Sequence, residues 1–293
     1  MDGLRSAGAP QVVVFGRLEG TLIDPRSGAI DEKARPGLQD LLDRGIPIVA
    51  CSARTRAEVE LMRADLGIEH PFAAEEGAAV FVPRGYFPFP LPATGVGGGY
   101  HTLELSIAHE AVVRSLRRVA RQLRVTVQSF ADMSVSDVAR EWGLTLLQAR
   151  LAKLREYDEP FRVVDRDPSA RGRLLEGLRA NGLQVRTAAK LDHGVGAADL
   201  GACVSLVRSL YARRGPVVTV GVGSGPEDLP FLRRVDRPVL LRNGLPRATA
   251  PMMRDLPRAT VTRGAGAAGW LEAVESVVAG HQPGAEVPVA ARG

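Results

Sequence analysis

The sequence predicts an α/β fold in which a Rossmannoid parallel sheet, covered by helices, is interrupted by an inserted α+β unit. Three observations support this fold class. In the first third of the chain, short β-branched runs alternate with amphipathic helical segments, the order typical of parallel sheets. A proline- and glycine-rich stretch at residues 84–99 then breaks the pattern. The strand–helix alternation returns in the last third of the chain.

The elements of the first third follow from apolar periodicity and turn residues. Continuous apolar runs such as VVVFG predict buried strands, and amphipathic segments that end in glycine predict helices. The turn at Gly77, within the sequence EEG, is expected to be solvated. The predicted elements are a strand at 12–16, a helix at 34–45, a strand at 46–52, a helix at 55–67 and two short strands within 72–83.

The middle of the chain predicts a different arrangement, in which strands and helices follow no regular βα order. Its predicted elements are strands at 100–108, 125–130, 161–165 and 183–188 and helices at 110–124, 134–143, 145–157 and 169–182. The last third predicts helices at 197–215, 227–235 and 269–281 and strands at 216–224 and 237–244. The resulting domains are a core formed by residues 1–84 and 186–281, an insert at 85–185 and a disordered tail at 282–293.

The composition is typical of a soluble globular protein. The 293 residues are 45% hydrophobic and 24% charged. No apolar run approaches the roughly 20 residues of a membrane span, and the first residues lack the apolar segment of a signal peptide. The only cysteines are Cys51 and Cys203, both in apolar surroundings. A reducing cytoplasm is therefore the expected location.

The net charge of +5 does not indicate a nucleic-acid partner. The excess is arginine spread along the chain, and its densest run, residues 112–124, places an apolar stripe on one helix face and arginines on the other. Such a pattern is typical of a solvated helix. We therefore expect neither a nucleic acid nor a membrane as partner.

A tight turn follows the first strand in VVVFGRLEGTLID, residues 12–24. It resembles the phosphatase turn hydrophobic-D-x-D-G-T-L, with Gly20, Thr21 and Leu22 in place. The two aspartate positions hold Arg17 and Glu19 instead. A second interpretation is that Gly20 and Thr21 persist because the turn needs a glycine and a capping hydroxyl.

An α/β core with an insert and this turn resembles the haloacid dehalogenase superfamily, whose insert is a cap domain over the active site. In that pattern the first aspartate is the nucleophile and the second the acid/base, so Arg17 replaces the nucleophile and Glu19 takes the acid/base position. The resemblance also assigns a phosphate-binding serine to Ser52 and a catalytic lysine to the position of Leu200. Its metal-binding motif falls on GSGPEDLP, where the candidate ligands are Ser224, Glu227 and Asp228.

The insert sequence FADMSVSDVAREWGLTLLQARLAKLREYDEPFRV, residues 130–163, resembles mannosyl-3-phosphoglycerate phosphatases. These enzymes release phosphate from a sugar-glycerate to give the compatible solute mannosylglycerate. The resemblance implies a small sugar-phosphate ligand and says nothing of a protein partner. The candidate substrate-binding residues are Ser52, Ala53, Arg54, Asp132, Met133, Arg155, Tyr157, Glu159, Lys190 and His193.

Several of these residues also have purely structural interpretations. Ser52 can serve as the N-cap of the helix that follows it, and Asp228 as the cap of a helix start. His193 is expected in a solvent-facing loop. Arg155, Tyr157 and Glu159 can be packing or surface groups of the insert, and Asp132 and Met133 can simply open a helix.

The altered motifs lead to two functional hypotheses. A guanidinium has no free lone pair to attack phosphorus, and Mg²⁺, the family cofactor, loses two carboxylates at positions 17 and 224. We expect Arg17 to replace the metal and pair with Asp228. The protein is then an inactive or impaired relative that binds a sugar phosphate or regulates a partner. Alternatively it is an active phosphatase on mannosyl-3-phosphoglycerate or a glucosyl analogue, in which Glu19 directs water attack or an unforeseen nucleophile acts.

Overall fold

The computed structural model describes residues 10–24, 30–188, 191–196, 199–242 and 246–280, and the predicted tail at 282–293 lies outside these residues. The strands, in chain order, are β1 (Gln11–Gly16), β2 (Ile48–Cys51), β3 (Phe72–Ala74), β4 (Ala79–Pro83), β5 (Gly95–Gly97), β6 (Tyr100–Glu104), β7 (Val127–Ser129), β8 (Glu159–Val163), β9 (Gln184–Ala188), β10 (Leu191–Val195), β11 (Val217–Gly223), β12 (Arg237–Leu240) and β13 (Thr260–Val261).

The helices alternate with these strands in the first and last thirds of the chain. They are α1 (Arg35–Asp43), α2 (Arg56–Leu66), α3 (His109–Leu123), α4 (Val135–Trp142), α5 (Leu146–Ala152), α6 (Ala170–Ala180), α7 (Leu200–Ala212), α8 (Leu229–Leu232), α9 (Pro246–Asp255) and α10 (Gly266–Ala279). Within the described part of the chain, no helix combines the length and apolar character needed to cross a membrane.

Two compact units divide the chain. The first comprises Met1–Cys51, Leu66–Pro71 and Gly201–Gly293, and the second comprises Ser52–Asp65 and Phe72–Leu200. We call them the Arg17 unit and the Ser52 unit, after the candidate residues they contain. The domain boundaries expected from the sequence, at residues 84/85 and 185/186, stay a prediction.

The Arg17 unit contains a parallel sheet in the order β13-β12-β11-β1-β2. In its centre, Gly16 at the end of β1 is paired with Val222 of β11 and Ala50 of β2. The carboxyl ends of these three strands therefore lie side by side, as predicted. The α/β fold class with a parallel sheet is confirmed.

The apolar run of β1 explains why that strand lies in the centre of the sheet. Val13, Val14 and Phe15 are fully buried, as expected for a strand covered on both faces. Helix α10 packs against β1 and β11 and contributes the buried Trp270. Helix α10 therefore covers β1, the strand whose carboxyl end carries the candidate site.

The Ser52 unit contains two antiparallel sheets, in the orders β3-β4-β6-β5 and β7-β8-β10-β9. Helices α3 and α6 form a hydrophobic core with the second sheet, centred on Leu116, Phe161 and Leu174. A smaller apolar cluster joins Phe130 and Met133 to α4 and α5. The α+β character expected of the insert is present in this unit.

Several elements differ from the sequence expectation. Strand β4 was expected in the parallel core, but it runs antiparallel to β3 because a tight turn at Glu75–Gly77 reverses the chain. The helix expected to reach residue 157 ends at Ala152. Strand β10 and helix α9 were not predicted, and the helix expected at 227–235 is a 3₁₀ turn, Pro226–Asp228, followed by the short α8.

Candidate functional site

The turn after β1 is held by its own side chains. Gly20 has a φ of 74°, a conformation that favours glycine. The Thr21 hydroxyl donates to the carbonyl oxygens of Arg17 and Leu18 and is buried. These contacts give a structural reason for the retained glycine and threonine, whatever chemistry the turn performs. The turn presents Arg17 at the carboxyl end of β1.

Arg17 forms the ion pair with Asp228 that the sequence predicted. Its Nε lies 2.7 Å from Oδ1 of Asp228, whose side chain is 1% exposed. Oδ2 accepts the backbone N–H groups of Ser224 and Gly225, at 2.7 and 3.1 Å. Gly223 permits this approach, since a Cβ there would lie 2.9 Å from Oδ2. Asp228 heads α8, but its carboxylate makes no cap bond to that helix.

The residues at the metal-binding motif do not fit Mg²⁺ as they are arranged. Mg²⁺ requires near-octahedral oxygen ligands. Both oxygens of Asp228 already accept hydrogen bonds, and the nearest charge is the guanidinium of Arg17. Glu227 is exposed, and its carboxylate folds over the backbone of Gly225. Ser224 can offer only a neutral hydroxyl. The carboxylate of Asp228, which in the family pattern binds a divalent cation, therefore pairs with Arg17 instead.

The described residues near the end of β1 also include a thiol and a second carboxyl group. Cys51, the last residue of β2, is buried, and burial raises the pKa of its thiol to about 12. A thiol with that pKa is protonated at neutral pH and is a poor nucleophile. Glu19 is half-buried in the turn and forms an isolated bridge with Ile23. The acid/base role of Glu19 stays a prediction.

The Ser52 unit begins with a loop, residues 52–55, that follows β2 directly. Ser52 is 1% exposed, and its Oγ accepts the N–H of Arg54 at 3.0 Å. The helix cap proposed for Ser52 belongs to another residue. Thr55 caps α2, because its Oγ1 accepts the N–H of Glu58 while the Glu58 carboxylate accepts the N–H of Thr55. The hydroxyl of Ser52 is therefore not used as a cap for α2.

Arg155 supports the same loop from the other side. Its Nη1 donates to the carbonyl oxygen of Ala53 at 2.9 Å and to Oδ1 of Asp158 at 2.8 Å. Its Nε donates to the carbonyl oxygen of Ala152. The side chain is 7% exposed. Arg155 is thus a buried positioning group in this structure, which agrees with the packing interpretation.

Glu75, in the turn expected to be solvated, is fully buried. Its Oε1 accepts the N–H of Glu156, and its Oε2 accepts the N–H groups of Tyr157 and Asp158, at 2.8–2.9 Å. The expectation of a solvated turn was wrong. The polar residues of the turn suggested contact with water, but the hydrogen-bond donors for Glu75 come from elsewhere in the protein. Three backbone donors supplied by a distant loop compensate the burial of the carboxyl group.

Glu75 and Asp158 form a coupled pair of buried acids. Burial, reinforced by the charge of Asp158, raises the pKa of Glu75 to about 8. Burial also acts to raise the pKa of Asp158, but the charge of Arg155 and the hydrogen bond with His193 outweigh it and lower that pKa below the ordinary range. At neutral pH the pair therefore holds one proton, mainly on Glu75.

His193 lies in strand β10, so the expectation of a solvent-facing loop was wrong. Its Nδ1 is 2.9 Å from Oδ2 of the buried Asp158, and its side chain is 12% exposed. Glu159 is also buried and pairs with Nε2 of His109 at 2.6 Å. Tyr157 donates its hydroxyl to Glu104, and burial and that contact raise the pKa of the phenol. Substrate contact by these residues stays a prediction.

The remaining candidate substrate-binding residues lie in different environments. Asp132 is half-exposed and bonded to Ser129 and Arg117. Met133 is buried in the apolar cluster near α4, and Ser134 is the residue that caps that helix. Lys190 lies outside the described residues.

Leu200, at the position of the family lysine, is the first residue of α7 and is 1% exposed. The turn at Gly77 approaches it closely. A Cβ on Gly77 would lie 2.6 Å from the backbone nitrogen of Leu200 and 2.6 Å from the carbonyl carbon of Asp199. A buried leucine cannot neutralise a phosphate, so position 200 does not supply the cation that the family pattern places there.

Two residues that the sequence interpretation missed, Glu75 and Asp158, connect several of the residues it selected. Asp158 lay within the run REYDEPF that carried the family resemblance, between two chosen positions. Glu75 lay in the EEG turn. The sequence did contain two indications: Glu75 stands next to a glycine turn, and Asp158 lies inside a motif specific to the family. Neither position indicates by itself that the acid is buried.

Comparison with known proteins defines the class. The profile of haloacid dehalogenase-like hydrolases matches residues 15–86. A sucrose-phosphatase from Synechocystis, solved with sucrose and phosphate, superposes with a TM-score of 0.58 at 14% identity, covering 91% of this chain and 98% of its own. At that identity the likeness shows the fold. The protein thus belongs to the haloacid dehalogenase superfamily by class.

Sequence relatives define the family. The glucosyl-3-phosphoglycerate/mannosyl-3-phosphoglycerate phosphatase of Methanococcoides burtonii is 32% identical over 91% of this chain and 97% of its own length. The protein of the same name from Persephonella marina is 31% identical over 78% of this chain and 84% of its own. The chain belongs to the mannosyl-3-phosphoglycerate phosphatase family.

Proposed function

We propose that this protein is a pseudoenzyme, or at most a severely impaired phosphatase, that binds an anionic sugar phosphate of the mannosyl-3-phosphoglycerate type. The observation that carries the proposal is the pair between Arg17 and Asp228, at 2.7 Å. It places a cation where the family has a nucleophile and gives that cation the carboxylate that would hold a metal. Arg17 thereby removes both the nucleophile and a ligand of the metal.

The chemical argument concerns how a phosphoryl group would be transferred. A guanidinium stays protonated and cannot form a covalent phospho-intermediate. Cys51 is buried as a neutral thiol. Glu19 can act as a general base for direct attack by water, but general-base catalysis alone contributes about 10²–10⁴-fold. Without the electrostatic stabilisation of a metal and a lysine, such a reaction is slow.

Binding can survive the loss of chemistry. Arginine pairs strongly with phosphate oxygens, and the loop of Ser52 keeps its hydroxyl and backbone donors. The family pattern assigns Ser52 to the phosphate, and contact of the phosphate with Arg17 is part of this proposal. The names of the relatives support a mannosyl- or glucosyl-3-phosphoglycerate as ligand. We also place the protein in the cytoplasm, a location that its low cysteine content, two buried residues, favours.

The direct test measures phosphate release and binding on the same protein. Purified wild type is incubated with mannosyl-3-phosphoglycerate and its glucosyl analogue, with and without Mg²⁺, and its affinity for both is measured by calorimetry. We expect binding without turnover. Mg²⁺-dependent turnover at the rate of an active family member assayed in parallel would establish the alternative, an active phosphatase.

The metal is tested separately by melting. We expect millimolar Mg²⁺ to leave the melting temperature of the wild type unchanged, because a ligand without a site in the folded state adds no stability. A bound ion at 100 times its Kd would add about 2.7 kcal/mol. A rise that is abolished by Asp228→Ala would contradict the replacement of the metal by Arg17.

A further inference from the structure

Glu75 links two loops of the Ser52 unit through its backbone and its side chain. Its N–H donates to the carbonyl oxygen of Arg54, and the N–H of Glu76 donates to that of Ser52, both at 3.0 Å. Its carboxyl group accepts the three N–H groups of residues 156–158. The residue is therefore bonded on one side to the phosphate-binding loop and on the other to the loop that follows α5.

The backbone of this turn adopts an unusual conformation. Glu75, Glu76 and Gly77 have φ values of 50°, 59° and 86°, so three consecutive residues lie in the left-handed region. For the two glutamates this conformation carries a cost, and such outliers cluster at functional sites. The conformation sends the Glu75 carboxyl group inward, while the Glu76 side chain pairs with Arg186. A simple hairpin turn would not require a buried acid.

A second connection between the two loops passes through Arg155 and ends at His193. Arg155 joins the carbonyl oxygen of Ala53 to Asp158, and Asp158 contacts Nδ1 of His193. Asp158 also donates its own N–H to Glu75. The loop of Ser52 and the side chain of His193 are thus held by the same two acids.

We propose that Glu75 is a positioning residue for sugar-phosphate binding, which holds the 52–55 loop and, through Asp158, His193 in the geometry that receives the ligand. The identity of the ligand rests on the proposed function, but the mechanical coupling between the loops does not. Glu75 touches no ligand in this scheme. It acts through the backbone of the 52–55 loop and through Asp158.

The charges around Glu75 give the coupling a dependence on pH. The groups facing it are Asp158, Arg155 and Tyr157 from the loop after α5, and behind them lie His193 of β10 and Glu58 of α2, which faces Arg155. A neutral Glu75 can share its proton with Asp158. Ionisation makes Glu75 a stronger acceptor for its three N–H donors but sets its charge against that of the buried Asp158. Burial and this repulsion outweigh the gain, so the ionised pair strains the connection between the two loops.

The first test needs no ligand and uses amide hydrogen exchange. Glu75→Ala removes the acceptors of residues 156–158, so their exchange accelerates in any interpretation. The proposal predicts that residues 52–55 also exchange faster, by about fivefold or more, because the turn whose backbone bonds Arg54 and Ser52 is no longer anchored to residues 156–158. Glu75→Gln keeps one acceptor oxygen, so it should restore part of the protection, and more at residues 52–55 than Glu75→Ala leaves. Glu76→Gln, in the same turn, is the matched control and should leave residues 52–55 protected.

The second test measures affinity for mannosyl-3-phosphoglycerate between pH 7 and 9.5. Wild-type affinity should fall as pH rises through about 8, by about tenfold if binding shifts the pKa of Glu75 by one unit. In Glu75→Gln the affinity should stay constant over this range. If Glu75→Ala does not fold, the exchange of residues 52–55 in Glu75→Gln on either side of pH 8, compared with wild type, decides the question.

The outcomes separate this inference from the proposed function. If wild type binds no sugar phosphate, the proposed function fails, and the exchange of residues 52–55 still decides whether Glu75 holds the loop. If binding is present but exchange changes only at residues 156–158, and the affinity shows the same pH profile in wild type and Glu75→Gln, Glu75 has only a local structural role and the proposal is overturned.

Discussion

At the scale of single residues, the ion pair of Arg17 and Asp228 is the main feature of the Arg17 unit. Their side chains are 13% and 1% exposed, so the pair is largely removed from water. A buried pair of this kind adds little compared with apolar packing, but breaking it leaves an uncompensated charge. The sequence permitted this pairing to be predicted because Arg17 supplies a cation where the metal loses two carboxylates, and Leu200 removes the lysine that would be a second cation.

Replacement of Arg17 by methionine should therefore destabilise the protein by about 3 kcal/mol, since Asp228 would keep its charge without its counter-ion. Urea unfolding measures the change. The control is Arg233→Met, which breaks the exposed pair of Arg233 with Asp255 and should cost at most about 1 kcal/mol. Equal losses of unfolding free energy in the two variants would show that the Arg17–Asp228 pair stabilises the protein no more than an exposed pair does. The additional change Asp228→Asn should recover part of the loss in the Arg17 variant.

At the scale of elements, apolar periodicity predicts the long helices and the central strands but not the short or tertiary-dependent ones. Strand β10 lacks a continuous apolar run, and helix α9 contains Pro251, so local patterns did not indicate them. The turn at Glu75–Gly77 was located from its glycine. Its burial was not predictable, because the donors that satisfy Glu75 come from a loop about 80 residues further along the chain.

This turn should be far less tolerant of substitution than a comparable turn nearby. Gly77 and Gly85 both have positive φ, at 86° and 76°. A Cβ on Gly85 meets nothing within 4 Å, whereas on Gly77 it would lie 2.6 Å from the backbone of Asp199 and Leu200. We expect Gly85→Ala to cost about 1–2 kcal/mol from backbone conformation alone. Gly77→Ala should cost at least about 2 kcal/mol more, because rigid backbone must move. Similar urea midpoints for both variants would contradict the close approach.

At the scale of the whole molecule, the buried acid predicts how stability depends on pH. The pKa of Glu75 rises from 4.5 to about 8 on folding, mainly through burial. Between these values the folded state keeps a proton that the unfolded state has released. The free energy of unfolding therefore falls as pH rises through this window, by up to about 1.4 kcal/mol per pH unit from this group, and levels off above about 8.

Glu75→Gln isolates this contribution, since glutamine does not titrate. The difference in unfolding free energy between wild type and Glu75→Gln should decline from pH 4.5 to 8 and then stay constant. The lowered pKa of Asp158 acts in the opposite direction, and its contribution is lost as pH falls below 3.8, outside the window. A difference that is flat from pH 5 to 8 would mean that Glu75 is already ionised in the folded protein.

The final prediction concerns restoration of the family's chemistry. The combination Arg17→Asp, Glu19→Asp, Leu200→Lys and Ser224→Asp supplies a nucleophile, an acid, a cation and a metal ligand at the positions that the family pattern assigns to them. It also frees Asp228 from its arginine. We expect Mg²⁺-dependent release of phosphate from mannosyl-3-phosphoglycerate, measured under the same conditions as wild type. Arg17→Asp alone should show no turnover. It adds a carboxylate near Asp228 without restoring the metal ligand at position 224 or any positive charge to balance the two acids.

Groups that act as a unit give strongly non-additive gains, so the intermediate variants should lie close to wild type and only the full combination should show turnover. A wild type that already equals the quadruple variant would contradict the loss of catalysis. A folded quadruple variant that neither binds nor hydrolyses the sugar phosphate would instead show that the Ser52 unit has diverged together with the catalytic residues. The ligand would then have to be sought outside the family's substrates.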